Sequence, residues 1–175
     1  MKDFILSENS FGKAVIANKK FLNGDTIIIF EGRLMHRSEL PPFDKIVLPE
    51  DDRYLQVSEE YFIGPSGKVD DIFNHSCNPN AGVIIKDKKA KLVALQDIQA
   101  GEEITYDYSP QMYDEDWTMK CTCGASNCRK IIKEFKYLPM NIKKKYQKLG
   151  IVPDYNSKFL IKKTLKWRVL RVLFN

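Results

Sequence analysis

The sequence predicts a mainly β domain followed by a C-terminal helical segment, and three observations carry that prediction. Up to about Ser109, short apolar runs alternate with Gly, Pro and Asn punctuation and show few helical periods. Within that region a hairpin-like phrase occurs twice. Beyond it, Asn141 to Leu149 and Lys158 to Leu173 carry helical spacing, interrupted by Gly150 and Pro153.

The repeated phrase is Phe21, Gly24, Asp25, Ile27 and again Ile98, Gly101, Glu102, Ile104. In each, an apolar residue is followed by glycine three positions on, then an acid, then isoleucine two further. Glycine supplies the unusual dihedrals of a turn, and each phrase runs into a strand. The first strand, Ile27 to Phe30, is continuously apolar, which predicts burial on both faces. The second, Ile104 to Tyr108, alternates. Its two-residue period predicts Tyr106 and Tyr108 on one face, with Asp107 on the other. In the last predicted helix, Ile161, Leu165, Val169, Val172 and Leu173 share a face, and Lys162, Lys163, Lys166 and Arg171 lie largely off it. The expectation is a helix packed on the body with a solvated basic side. The alternative is a basic contact for an acidic partner or a membrane surface. The segment from Lys143 onward is expected to bear on stability or substrate docking, not on a chemical step.

A chain of 175 residues fits one domain with an appendage, and its 43% hydrophobic content excludes a disordered chain. The net charge of +5 hides a division. From Lys143 onward ten basic residues face one acid, Asp154, so the tail carries +9 and the rest −4. An acidic body suits a basic protein substrate better than a nucleic acid groove. Met1 to Lys13 lacks the apolar run of a signal peptide, and no uncharged stretch approaches the roughly 18–20 residues that span a bilayer. The expectation is therefore an intracellular, soluble protein without a transmembrane segment.

That setting disfavours a disulfide framework for Cys77, Cys121, Cys123 and Cys128. Three of the thiols fall in one short loop, with Gly124 to turn it. Tetrahedral zinc takes four ligands, and Cys77 completes the set, with the adjacent His75 as the other candidate for the fourth place. Thiolates this close repel one another unless they are protonated or metallated. The stretch Asp70 to Asn80 is dense in polar and turn-forming residues. By itself it reads as a capped turn in which His75 is a structural hydrogen-bonder.

Three elements together resemble the SET-domain lysine methyltransferases: Asn74-His75-Ser76-Cys77-Asn78-Pro79-Asn80, the run Gly101 to Tyr108, and the loop Cys121, Cys123, Cys128, which looks like that family's post-SET segment. The similarity covers roughly Ser10 to Lys130. It implies small curved sheets with a knot-like threading near the active site, which is unusual among folds. It divides the chain into a SET domain (1–109), a post-SET zinc loop (110–135) and a basic helical extension (136–175).

By the same resemblance, the methyl donor is S-adenosyl-L-methionine and one structural zinc is held by Cys77, Cys121, Cys123 and Cys128. Gly12, Lys13 and Ala14 correspond to a Gly-x-Gly turn close to the cofactor. Tyr54, Asn74, His75 and Tyr108 would also contact it. Tyr108 would be the catalytic tyrosine, and Tyr106 the switch residue that limits how many methyl groups fit. Phe30 and Tyr106 would line the lysine channel. Two positions depart from the family pattern. Ala14 replaces the second glycine, which requires ordinary dihedrals there. Phe30 stands where many members have tyrosine, so a hydroxyl is missing from the channel.

The implied activity is methyl transfer to a lysine side chain of a protein substrate, histone-like or otherwise basic, with monomethylation favoured. The implied location is cytoplasmic, or nuclear in a eukaryotic host. Phenols titrate near pH 10, so Tyr108 is cast as a positioner and not a strong base. Two rival readings are a non-catalytic zinc-bound interaction module, supported by Phe30 and Ala14, and a nucleic-acid binder acting through the tail. Against the second stands the lack of aromatic-basic interleaving outside the tail, so no stable nucleic acid partner is expected.

Overall fold

A computed structural model describes residues 3–9, 12–41, 53–113 and 117–160. Strands β1 (Phe4–Asn9) and β2 (Gly12–Ala17) form an antiparallel hairpin. A five-stranded sheet takes β3 (Thr26–Ile29), β7 (Asn74–His75), β8 (Ala81–Lys86), β9 (Lys89–Ala94) and β10 (Thr105–Tyr106), in the spatial order β3-β9-β8-β10-β7. A three-stranded sheet is ordered β4 (Leu34–His36), β6 (Tyr61–Ile63), β5 (Leu55–Gln56). The hairpin β11 (Thr118–Lys120) and β12 (Ile131–Lys133) follows. The one α-helix among the described residues is α1 (Met140–Lys148), succeeded by a 3-10 helix Asp154–Leu160. No helix among the described residues is long and apolar enough to cross a membrane.

The small sheets close around one core that includes Val15, Phe21, Leu92, Ile98 and Ile104. Strand β10, late in the chain, threads parallel between β7 and β8. This sets the partly buried Tyr106 next to His75 and Ala81. Where β4 begins, Gly32 backs onto Gly64 so closely that an added Cβ would lie 1.7 Å from the Gly64 carbonyl oxygen. Only glycine fits that crossing.

The repeated phrase folds as two matched turns that pair with each other. Gly24 and Gly101 have φ of 91° and 92°, the left-handed region that favours glycine. The acid after each glycine accepts the N–H three residues back, Leu22 to Asp25 at 2.7 Å and Gln99 to Glu102 at 2.8 Å. Phe21 and Ile98 exchange both backbone hydrogen bonds at 2.9 Å. The sequence repeat is thus a structural pair.

Two strand expectations are corrected. Ile27 to Phe30 is not buried on both faces: β3 is an edge strand, and Ile29 is 58% exposed. The strand through Tyr108 ends at Tyr106. Tyr108 adopts the α-region (φ −72°, ψ −28°) and opens a 3-10 turn Ser109–Gln111, whose first turn tolerates Pro110 because no N–H is needed there. At the C-terminus, α1 matches the predicted Asn141 to Leu149 helix. Phe135, Leu138, Tyr146 and Ile151 bury a second core against Ile84 of β8 and Leu95, just past the end of β9. The predicted helix Lys158 to Leu173 lies outside the described residues beyond 160, and its first three residues belong to the 3-10 helix.

Candidate active site and thiol cluster

A cleft of about 1660 Å³ opens between the five-stranded sheet, the β1–β2 hairpin and the β11–β12 hairpin. Its lining includes Gly12, Lys13, Phe30, Tyr54, Asn74, His75, Tyr106 and Tyr108. Ala14 is not among the lining residues. It is 1% exposed in the core, within β2, and is absent from the residues with positive φ. The alanine therefore needs no glycine-like backbone, and its methyl group joins the core.

Along one wall, aromatic rings follow one another. Phe30 and Tyr106 have centroids 6.5 Å apart at 71°, Tyr106 and Tyr108 4.8 Å apart, and Tyr108 and His75 5.2 Å apart. The two phenols meet although they do not share a strand, because the chain turns at Tyr108 and swings its ring back over Tyr106. The Tyr108 hydroxyl donates to the Phe73 carbonyl at 2.8 Å. Its proton is therefore committed to the protein, and the oxygen faces other groups with its lone pairs. Asn74 donates to the Lys13 carbonyl at 2.8 Å and to Glu103 at 2.9 Å, tying the β1–β2 hairpin to the sheet beside the cleft.

His75 is buried. Desolvation lowers its pKa to about 4, outweighing the raising effect of Asp107, while Arg129 lowers it further. The ring is thus neutral near pH 7. Its Nδ1 accepts the Tyr108 N–H at 3.2 Å, so the proton sits on Nε2, 3.3 Å from Cys77 Sγ. The 3.5 Å approach of Nδ1 to Asp107 is accordingly not an ion pair.

The four cysteine sulfurs lie within 4.8 Å of one another, and Cys77 and Cys121 are 3.8 Å apart. A tetrahedral ion with Zn–S bonds of about 2.3 Å separates its sulfurs by about 3.8 Å. His75 stands outside the four, as a donor to Cys77. Burial holds Cys77 and Cys121 above the usual thiol range. Burial also pushes Cys123 up, but the N–H groups of Cys77 and Ala125 and the neighbouring thiols outweigh it and bring Cys123 to about 6. Cys77 further receives the Arg129 N–H and Nε–H, both at 3.4 Å. Four sulfurs at this spacing, with backbone and guanidinium N–H donors aimed at Cys77 and Cys123, are a donor set that fits zinc. The hairpin β11–β12 carries three of these cysteines in its loop and packs them against Cys77, Trp117 and Ile132.

Arg53, Trp117 and Met119 also line the cleft, and no motif pointed to them. Trp117 alone offered a signal, as an aromatic residue four positions before Cys121.

This arrangement defines a SET-type fold beside a cluster of four thiols. The SET domain family model matches residues 12–109, more than half of the chain, and the chain belongs to that family. A Caenorhabditis briggsae protein described as probable histone-lysine N-methyltransferase set-23 is 28% identical over 152 residues, covering 79% of this chain and 61% of that protein. The human histone-lysine N-methyltransferase 2D is 46% identical over 61 residues, covering 33% of this chain and 1% of that protein. Among solved structures, KRYPTONITE in complex with mCHH DNA, H3(1-15) peptide and SAH superposes with a TM-score of 0.59 at 21% identity, over 76% of this chain and 30% of that one. The chain thus spans about three fifths of the first of these relatives and less of the others.

Proposed function

We propose that the chain is a protein-lysine N-methyltransferase that uses S-adenosyl-L-methionine, favours monomethylation and holds one structural zinc. The observation that carries this reading is the convergence of Phe30, Tyr106 and Tyr108 with Asn74 and His75 on one cleft, walled on its other side by the thiol-cluster hairpin. Relatives described as histone-lysine methyltransferases, and a fold neighbour that holds SAH and a histone H3 peptide, support it.

The donor, when bound, supplies an electrophilic methyl group on a sulfonium. The protein's part is to present a neutral amine in line with it. A free lysine titrates near 10.4, and lowering that by about 2–3 units takes about 3–4 kcal/mol of differential interaction. The apolar edge of Phe30 and the rings of Tyr106 and Tyr108 disfavour the ammonium by desolvation. Tyr108, its proton held by Phe73, offers an oxygen that accepts from the amine or faces the positive charge of the reacting centre. Tyr106 limits the room beside the amine, which favours a single methylation. Phe30 adds no hydroxyl to that limit. Trp117 gives a flat apolar face at the cleft, suited to an aromatic base of the donor.

The test is transfer of labelled methyl from S-adenosyl-L-methionine into purified core histones and, separately, into a whole-cell protein extract, with intact-mass analysis of the product. Monomethyl-lysine as the main product is the expected result. Donor binding without any labelled product would leave a binding module in place of an enzyme.

A further inference from the structure

We propose that Tyr146, on the C-terminal helix α1, is a positioning residue for the cleft, acting through Asp107 on Tyr106, Tyr108 and the thiol cluster. Tyr146 lies beyond residues 12–109, the span that the SET domain family model matches. Its buried hydroxyl donates to Asp107 Oδ2 at 2.8 Å. Burial and the adjacent carboxylate both raise its pKa, so it remains a donor.

Asp107 separates the two phenols in sequence and points away from the cleft, 3% exposed. A carboxylate at that depth has protein donors in place of water. Arg129 Nη2 gives one to Oδ1 at 2.7 Å and the Ser109 N–H gives another at 3.0 Å, while Tyr146 serves Oδ2. The same Arg129 donates twice to Cys77 Sγ. One carboxylate therefore joins the C-terminal helix, the thiol cluster and the bend at which the backbone leaves β10 and turns Tyr108 toward Tyr106.

The next residues of the chain are pinned by the same C-terminal segment. Asn156 Nδ2 donates to the Pro110 and Met112 carbonyls at 2.8 and 3.1 Å, and the Tyr155 hydroxyl shares its proton between the carbonyls of Gln56 and Gln111, both at 2.9 Å. The sequence predicted stability or docking for this segment. The Asp107 contact extends its reach to the reacting groups.

The kinetic part of this inference rests on the methyltransferase reading; the metal part does not. Tyr146→Phe removes one oxygen and leaves Asp107 Oδ2 without that donor. It is compared with Ile151→Val, which trims the same C-terminal core without touching Asp107. In the zinc-loaded protein, release of zinc to a chelator should be several-fold faster in Tyr146→Phe and unchanged in Ile151→Val. Well below the melting transition, kcat should fall about tenfold in Tyr146→Phe, the rate equivalent of one hydrogen bond to a charged group, with both KM values nearly constant. Because Tyr146 acts only through the carboxylate, adding Tyr146→Phe to Asp107→Asn should change zinc release little further. Wild-type zinc release in Tyr146→Phe, effects that merely track the loss of Tm as in Ile151→Val, or additive effects in the double variant each overturn the proposal. Absence of methyl transfer by the wild type would sink the methyltransferase reading, and zinc release alone would then decide the role of Tyr146.

Discussion

At Tyr108 a single hydroxyl is held by a backbone carbonyl at 2.8 Å, and its ring is packed between Tyr106 and His75. Tyr108→Phe removes that oxygen with almost no change in volume, so fold and donor affinity should survive. An oriented dipole at a developing charge is worth about 3–4 kcal/mol, and kcat should fall a hundredfold or more in steady-state methyl transfer. Wild-type turnover would remove Tyr108 from the chemistry. Tyr106 makes a different prediction, because its ring meets Phe30 and not a second hydroxyl-bearing ring on that side. Tyr106→Phe enlarges the polar space beside the amine by one oxygen. Product mass should shift from mono- toward di- and trimethyl-lysine, and an unchanged distribution would show that Tyr106 does not set it.

At the level of elements, the β11–β12 hairpin has only two strands and a small buried centre in Ile132. A two-stranded hairpin is marginal in water, so its hold on the cleft wall depends on the thiol cluster. Elemental analysis of the purified protein should give about one zinc per chain, lost in Cys123→Ser, with thiol reactivity rising as the metal leaves. Four reactive thiols and no metal in the wild type would refute the site. A second test lies at the crossing of Gly32 and Gly64. Gly32→Ala drives a methyl group into a backbone carbonyl, which cannot move aside as a side chain could. The cost should be about 3 kcal/mol or more, a fall in Tm of about 6–12 °C by thermal unfolding.

For the whole molecule, the C-terminal segment covers the sheet that bears the cleft. Ile151 packs over Gly82 so closely that a Cβ there would meet its Cγ2 at 2.8 Å. Truncation after Pro139 exposes Phe135 and Leu138 and removes the buried Tyr146, Ile151 and Asn156. Each large apolar side chain contributes about 1.5–3 kcal/mol when buried, so the truncated chain should melt well below the full chain or fail to fold. A truncated chain with the Tm of the full one would show that the segment adds nothing to the body.

Much of this was legible in the sequence because the information was local. Gly24 and Gly101 announce turns because a positive φ excludes most other residues, and the acid after each glycine completes the turn within four residues. The spacing of Cys121, Cys123 and Cys128 places three sulfurs in one loop, and the motif from Asn74 to Asn80 marks the fourth. The period that put Tyr106 and Tyr108 on one face gave the right meeting for an incomplete reason, since the strand stops between them. What the sequence left open depends on contacts between residues far apart in the chain. Whether β3 is buried depends on its place at the sheet edge, which no run of apolar residues records. Whether His75 ligates the metal depends on which ring nitrogen accepts the Tyr108 N–H. The place of Asp107 among Arg129, Ser109 and Tyr146 was likewise decided only by tertiary structure: a buried carboxylate must find donors wherever packing brings them, and packing brought one from 39 residues away.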